Sequence, residues 1–345
     1  MDLKKNKNNT VQFPFVSICT PTFNRRPFIP FMIQCFEHQT YPKDKMEWII
    51  IDDGTDPIGD LVKHLPQVKY YYYNEKMLLG KKRNLMHSKC NGDILIYMDD
   101  DDYYPPERVS HAVQTLQNNP TFLIAGSSEM HIFFESKQQV YQCGPYKEYH
   151  STAATFAFKK ELLQYTSFND ENALAEERHF LKNYTIPLKQ LESVKSIMVF
   201  SHKHNSLNKE LILENKEATK TTLSRYTVDD FITNPVLKQF YTVDMNMLLE
   251  NYEPGRPEYK PKLLEQMKQI EEERNKRLIE HNKMLEAQQL IQRREKERLS
   301  GGSKDLDAMR LHYEKQLADK SYLINELLKK VKELSTELAE YKNKM

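Results

Sequence analysis

Apolar residues in this chain come in short runs, each ended by a polar cluster. Phe15-Val16-Ser17-Ile18-Cys19 runs into Thr20-Pro21-Thr22-Phe23-Asn24-Arg25-Arg26, and Trp48-Ile49-Ile50-Ile51 runs into Asp52-Asp53-Gly54-Thr55. Short β-branched and aromatic runs closed by turn residues predict buried strands. Between them, Phe28 to Phe36 has helical spacing after its prolines. The order strand, helix, strand predicts a parallel sheet with a crossover helix, and open α/β sheets bind ligands at the carboxyl ends of their strands. A further apolar run, Ile94 to Met98, leads into Asp99-Asp100-Asp101-Asp102 and then Tyr103-Tyr104-Pro105-Pro106.

The pattern changes near residue 253. The segment Glu253 to Pro261 carries three prolines and a glycine, which break regular structure, and beyond it the chain reads as charged helix. From Lys262 to Leu299 the apolar positions follow no clean seam. Ser300-Gly301-Gly302-Ser303 favours a loop. After that a heptad emerges, with Arg310, Leu317, Ile324, Val331 and Leu338 in one seven-spaced series and Leu306, Tyr313, Lys320, Leu327, Leu334 and Tyr341 in the other. β-branched residues at a with leucine at d favour a parallel two-stranded coil; a single amphipathic helix docked on the globular part is the competing reading. The expected organisation is a polar tail over 1–12, a globular α/β domain over 13–252, a linker and charged helix over 253–299, a flexible break over 300–303 and a coiled coil over 304–345. The coil predicts a homodimer.

Composition narrows the classes. The 345 residues contain 50 Lys and Arg against 49 Asp and Glu, a formal net charge of +1, so no global field points to nucleic acid. Cys19, Cys35, Cys90 and Cys143 show no CxxC pairing, which argues against a zinc knuckle or a disulfide framework. The N-terminus is polar and no stretch reaches the length of a membrane span, so the expectation is a soluble, cytoplasmic protein with no membrane span.

Four adjacent carboxylates repel one another and are driven toward protonation unless a cation sits among them. Oxygen donors select Mg²⁺ or Mn²⁺ over zinc, and Mg²⁺ uses one or two carboxylates together with diphosphate oxygens and water. A solvated acidic turn is the plain alternative, disfavoured by the apolar strand before the run and the double proline after it. Lys81, Lys82 and Arg83 follow Gly80 at a predicted helix start, where a diphosphate would fit, although first-turn cations are often simply solvated. Glu176 and Glu177 open another predicted helix, and a helix N-terminus alone would account for such acids. His202 and His204 alternate along an extended run, so both would face one side.

Taken together, VSICTPTFNR, WIIIDDGTD and GKKRNLMHSKCNGDILIYMDDDDYYPPERV resemble the nucleotide-binding half of a GT-A glycosyltransferase of the family 2 type, over roughly residues 13 to 120. A fainter resemblance runs through the acceptor half, 121–252, in Ala154 to Glu161, in Glu176-Glu177 where the family has Glu-Asp, and in Ser201-His202-Lys203-His204-Asn205. The resemblance implies a Rossmann-like α/β domain ahead of the C-terminal coil. It implies that Thr20, Pro21 and Thr22 wall the nucleobase, that Asn24 and Arg25 belong to the nucleotide-sugar site, and that Asp53 accepts a hydrogen bond from the base. By the same resemblance Arg83 approaches the base or diphosphate, Asp100 lies at the ribose, Asp101 is the main metal ligand supported by Asp99, and His202 completes the shell. Glu177, with Glu176 beside it, would be the base. The activity implied is a Mn²⁺- or Mg²⁺-dependent, inverting transfer from a nucleotide sugar, UDP-linked first among the candidates, to a hydroxyl of a carbohydrate, protein or lipid. A catalytically dead scaffold working through its coil is the alternative, against which the clustered acids speak. A sugar-nucleotide pyrophosphorylase would need a glycine-rich loop after the first strand, and Thr20 to Asn24 has no glycine.

Overall fold

A computed structural model describes residues 13–205, 208–217, 219–299 and 305–342. The expected tail over 1–12 and the break over 300–303 lie outside them. The chain divides into two compact units, 1–270 and 271–345.

Among the described residues of the first unit, seven strands form one sheet in the order β3-β2-β1-β4-β8-β5-β9. These are β1 (Val16–Thr22), β2 (Met46–Asp52), β3 (Val68–Tyr72), β4 (Ile94–Tyr97), β5 (Ile124–Gly126), β8 (Ala157–Lys159) and β9 (Leu188–Gln190). β1 pairs in parallel with β2 and β4, and β2 with β3, as the strand-helix-strand pattern predicts. β8 runs antiparallel between β4 and β5. A second sheet has the order β10-β6-β7-β11, from β6 (Met130–Phe134), β7 (Gln139–Cys143), β10 (Met198–Ser201) and β11 (Thr221–Leu223).

β2 shows why the central strands read as unbroken apolar runs. Trp48 and Ile50 face one core with Phe36, whose ring stacks on Trp48 at 4.6 Å, while Ile49 and Ile51 face the other with Leu95, Phe156 and Phe158. A parallel strand covered on both faces has no polar side to alternate with. The first core is covered by α1 (Ile29–Glu37), α2 (Gly59–Val62) and α4 (Arg108–Asn118); α3 (Leu79–Lys89) covers the second. Shorter helices α5 (Glu176–Phe180), α6 (Glu210–Glu214), α7 (Pro235–Gln239) and α8 (Met245–Glu250) follow. α9 spans Pro261–Leu299. Its start belongs to the first unit, where Leu263 is buried.

The second unit, from Glu271, contains the rest of α9 and α10 (Asp305–Lys342). Ile324, Leu327, Val331 and Leu334 are all exposed on α10. The four cysteines are free thiols. Among the described residues no helix is long and apolar enough to cross a membrane.

Candidate functional site

The polar turns after β1 and β4, with the start of α3, line a cavity of about 530 Å³, within the usual range for a small-molecule site. Pro21, Thr22 and Arg25 come from the first turn, Lys81, Lys82 and Arg83 from α3, and Asp99, Asp100 and Asp101 from the acidic run. Asp102 turns away. Its Oδ1 accepts the Phe200 N–H at 3.3 Å and its carbonyl accepts the Tyr241 hydroxyl at 2.9 Å, tying the acidic turn to β10 and the helices beyond.

The carboxylates facing the cavity are in three different electrostatic states. Burial and neighbouring Asp101 raise Asp100 to about 7, although Arg25 Nε lies 3.6 Å away. Burial alone would raise Asp101 too, but the His202 hydrogen bond and the Arg25 charge hold it well below the usual carboxylate range. His202 Nε2 is 3.2 Å and Arg25 Nη2 3.4 Å from Asp101 Oδ2. Asp99 is raised by burial, and its Oδ1 is buried with no hydrogen-bond partner among the described residues. That oxygen lies 3.7 Å from Arg83 Nη2 and, accepting no hydrogen bond, keeps a lone pair that a hard cation could take. Among the described residues no three or more His, Cys, Asp and Glu side chains form a metal cage. Asp99 and Asp101 are the residues that could hold a cation here, with its remaining ligands coming from outside the chain.

His202 lies between Asp101 and Asn205. The His204 backbone N–H donates to His202 Nδ1 at 3.2 Å, and burial brings the imidazole pKa down to about 3. Its Nε2, the atom facing Asp101, also lies 2.7 Å from Asn205 Nδ2, a group that can only donate. His204 points elsewhere, its ring 6.2 Å from that of Tyr252.

Arg83 organises the far wall. Its Nε donates to Glu176 at 3.0 Å, its Nη2 lies 3.7 Å from Asp99, and its guanidinium sits 4.3 Å from the Tyr97 ring centroid. Burial opposes the charge, but Asp99 and Glu176 hold it firmly protonated. Glu176 is thus committed to an ion pair. Glu177 has no side-chain partner among the described residues, and burial together with Glu176 raises it to about 7. Just before the pair, Ala175 adopts φ 51°, a left-handed conformation costly for a residue with a Cβ. Glu177 does not line the 530 Å³ cavity.

Other expected site residues stand behind the wall. Thr20 is fully buried, its hydroxyl donating to the Met98 carbonyl at 2.6 Å and accepting from Trp48 Nε1 at 2.9 Å. Asn24 braces Asp56 N–H and the Pro254 carbonyl. Asp53 is buried in an ion pair with Lys82 and accepts the Met77 N–H at 2.7 Å. Lys82 also donates to the Thr22 carbonyl at 2.8 Å, so it is an internal tie between strands and not a solvated charge. Its spacing of four residues from buried Met86 on α3 is the signal that places it on the inward face.

Lys76 and Lys260, which the sequence pattern does not single out, both line this cavity, Lys260 together with Leu263 from the segment expected to be linker and charged helix.

Residues 17–165 match the family model described as Glycosyl transferase family 2. A dolichyl N-acetyl-alpha-D-glucosaminyl phosphate 3-beta-D-2,3-diacetamido-2,3-dideoxy-beta-D-glucuronosyltransferase of Methanococcus voltae is 30% identical over 110 residues, covering 30% of this chain and 34% of that protein. The poly(ribitol-phosphate) beta-N-acetylglucosaminyltransferase TarS of Staphylococcus aureus strain Mu50 is 26% identical over 109 residues, covering 28% of this chain and 18% of that one. The crystal structure of S. aureus TarS is 19% identical with a TM-score of 0.45, covering 54% of this chain and 36% of that chain. The matches thus span about a third or less of the curated relatives' own lengths. Over the matched span the chain resembles family 2 glycosyltransferases, on a mixed α/β fold of the GT-A kind.

Proposed function

We propose that this chain transfers a sugar from a nucleotide-sugar donor, UDP-linked first among the candidates, to an acceptor hydroxyl, with a divalent cation and with inversion at the anomeric carbon. One observation carries the reading: Asp99, Asp100, Asp101, Arg25 and Arg83, all family-matched residues from three separate segments, meet in one cavity. A bound Mg²⁺ or Mn²⁺ would supply Lewis-acid stabilisation of the diphosphate leaving group. The side chains do the rest. Arg25 and His202 keep Asp101 ionised at its post, and Arg83 orients the far wall while occupying Glu176.

Glu177 takes the proton from the acceptor hydroxyl. It is the unpaired member of the two glutamates, and a carboxylate raised to about 7 is close to the pKa a general base needs at neutral pH. Thr20 and Asp53 act indirectly, the first by fixing Trp48 and Met98, the second by holding Lys82 against the Thr22 carbonyl. The exposed apolar positions of α10 serve dimerisation. Turnover of a panel of nucleotide sugars with Mn²⁺, with and without EDTA, tests the reading. Metal-dependent release of a nucleoside diphosphate supports it; nucleotide binding without turnover would leave a scaffold in its place.

A further inference from the structure

α5 ends in a strained turn. The Leu181 N–H donates to the Glu177 carbonyl at 2.8 Å and the Asn183 N–H to the Arg178 carbonyl at 2.8 Å, so the chain doubles back on the helix that carries Glu177. Lys182, Asn183 and Tyr184 then follow one another at φ 48°, 56° and 64°, three left-handed residues in a row and none of them glycine. Such conformations persist only where their surroundings hold them, and they gather at functional sites. The side chain this turn delivers is Tyr184. Its ring stacks on that of His150 with centroids 4.8 Å apart, and the His150 ring lies 4.7 Å from that of Tyr146.

The row is fixed from behind. The Tyr146 hydroxyl donates to the Thr219 carbonyl at 2.8 Å, and Gln190 Nε2 donates to the Glu148 and His150 carbonyls at 2.7 and 3.0 Å. All three rings are half-buried, so each keeps part of its surface in solvent, and His150 Nδ1 has no hydrogen-bond partner among the described residues. Glu177 links this row to the donor cavity. Its neighbour Glu176 is bound to Arg83 on the cavity wall, while burial and the Glu177 charge push the Tyr184 hydroxyl up to about 12.

A preformed row of rings beside a base suits a molecule with one flat C–H face and hydroxyls around it. A pyranose has that shape. Its C–H face packs on the negative face of an aromatic ring while its hydroxyls stay at the rim, and Lys147 and Glu148, between two of the rings in sequence, are exposed to meet them. A serine side chain or an alkyl alcohol offers no such face. Resting on the reading that Glu177 is the base of a glycosyl transfer, we propose that Tyr146, His150 and Tyr184 bind the acceptor and that the acceptor is itself a sugar.

Mass-spectrometric detection of transfer by the full chain tests this, with Mn²⁺, a panel of nucleotide sugars, and methyl pyranosides of glucose, galactose, mannose and N-acetylglucosamine offered beside a serine peptide and octanol. A pyranoside should be the preferred acceptor. Tyr184→Ala should raise KM for that pyranoside about 10-fold, the scale of one lost stacking contact, with KM for the donor unchanged. Tyr184→Phe keeps the ring and should keep the wild-type KM. Preferred transfer to the peptide or to octanol, or donor hydrolysis with transfer to no pyranoside, would overturn the proposal. So would an unchanged pyranoside KM in Tyr184→Ala, or a donor KM that rises equally, which would make Tyr184 a structural prop. A wild type that neither hydrolyses nor transfers from any nucleotide sugar would remove the donor reading itself, and this proposal with it.

Discussion

At the scale of single residues, the two glutamates of α5 have the same chemistry and opposite surroundings. Arg83 holds Glu176 in a buried ion pair, whereas Glu177 is left with a raised pKa. Glu177→Gln should therefore lower kcat by about 10²-fold or more with donor affinity retained, the usual range for a lost general base. If Glu176→Gln alone is crippled, the roles are exchanged. The pH profile follows from the direction of the shift. A base raised to about 7 is protonated and idle below that pH, so kcat should rise through about pH 7 in the wild type, and Glu177→Gln should flatten that limb. At the acidic run the expectation is different, because Asp101 stays ionised under all ordinary conditions. Asp101→Asn should abolish the Mn²⁺-dependent part of nucleotide binding and leave the EDTA-resistant part; equal Mn²⁺ dependence in variant and wild type would exclude Asp101 from the metal site.

At the scale of elements, α3 is fastened to the sheet by a lysine. Lys82→Met would leave Asp53 buried without its cation, and removing one partner of such a pair costs about 3 to 5 kcal/mol. Urea unfolding should show that loss, while exposed Lys81→Met should change little. This helix also shows how far the sequence could be read. β1, β2 and β4 were legible because strands buried on both faces leave long apolar runs, and the turns after them because ligand-facing residues break those runs. The acidic run was legible as a cluster, but its division was not. Whether Asp102 joins Asp99 to Asp101 depends on Phe200 and Tyr241, each far away in sequence. Segment 253–263 was legible as broken structure and no further, for a similar reason. Prolines and a glycine signal broken structure equally well in a solvated linker and in a segment pinned to Asn24, Arg25 and Lys76, and only the long-range hydrogen bonds separate the two.

For the whole molecule the open term is the second unit. α10 presents Leu317, Ile324 and Val331 in one seven-spaced series and Tyr313, Leu327 and Leu334 in the other, and each of these side chains is at least 44% exposed. Apolar stripes of this length are rarely left to solvent. A second copy suits them well, because β-branched Ile324 and Val331 at a with Leu327 and Leu334 at d are the choice that favours two parallel strands. The first unit does not need α10 for its own core, since both faces of its central sheet are already covered. Full-length protein should therefore scatter light as a dimer at micromolar concentration, and a chain ended after Leu299 should be monomeric with donor turnover retained. Replacing Ile324 and Val331 with asparagine should reproduce the monomer without truncation. A full-length monomer would reject pairing through α10 and assign the stripe to another protein or to the first unit, and loss of turnover on truncation would make the coil part of the working site.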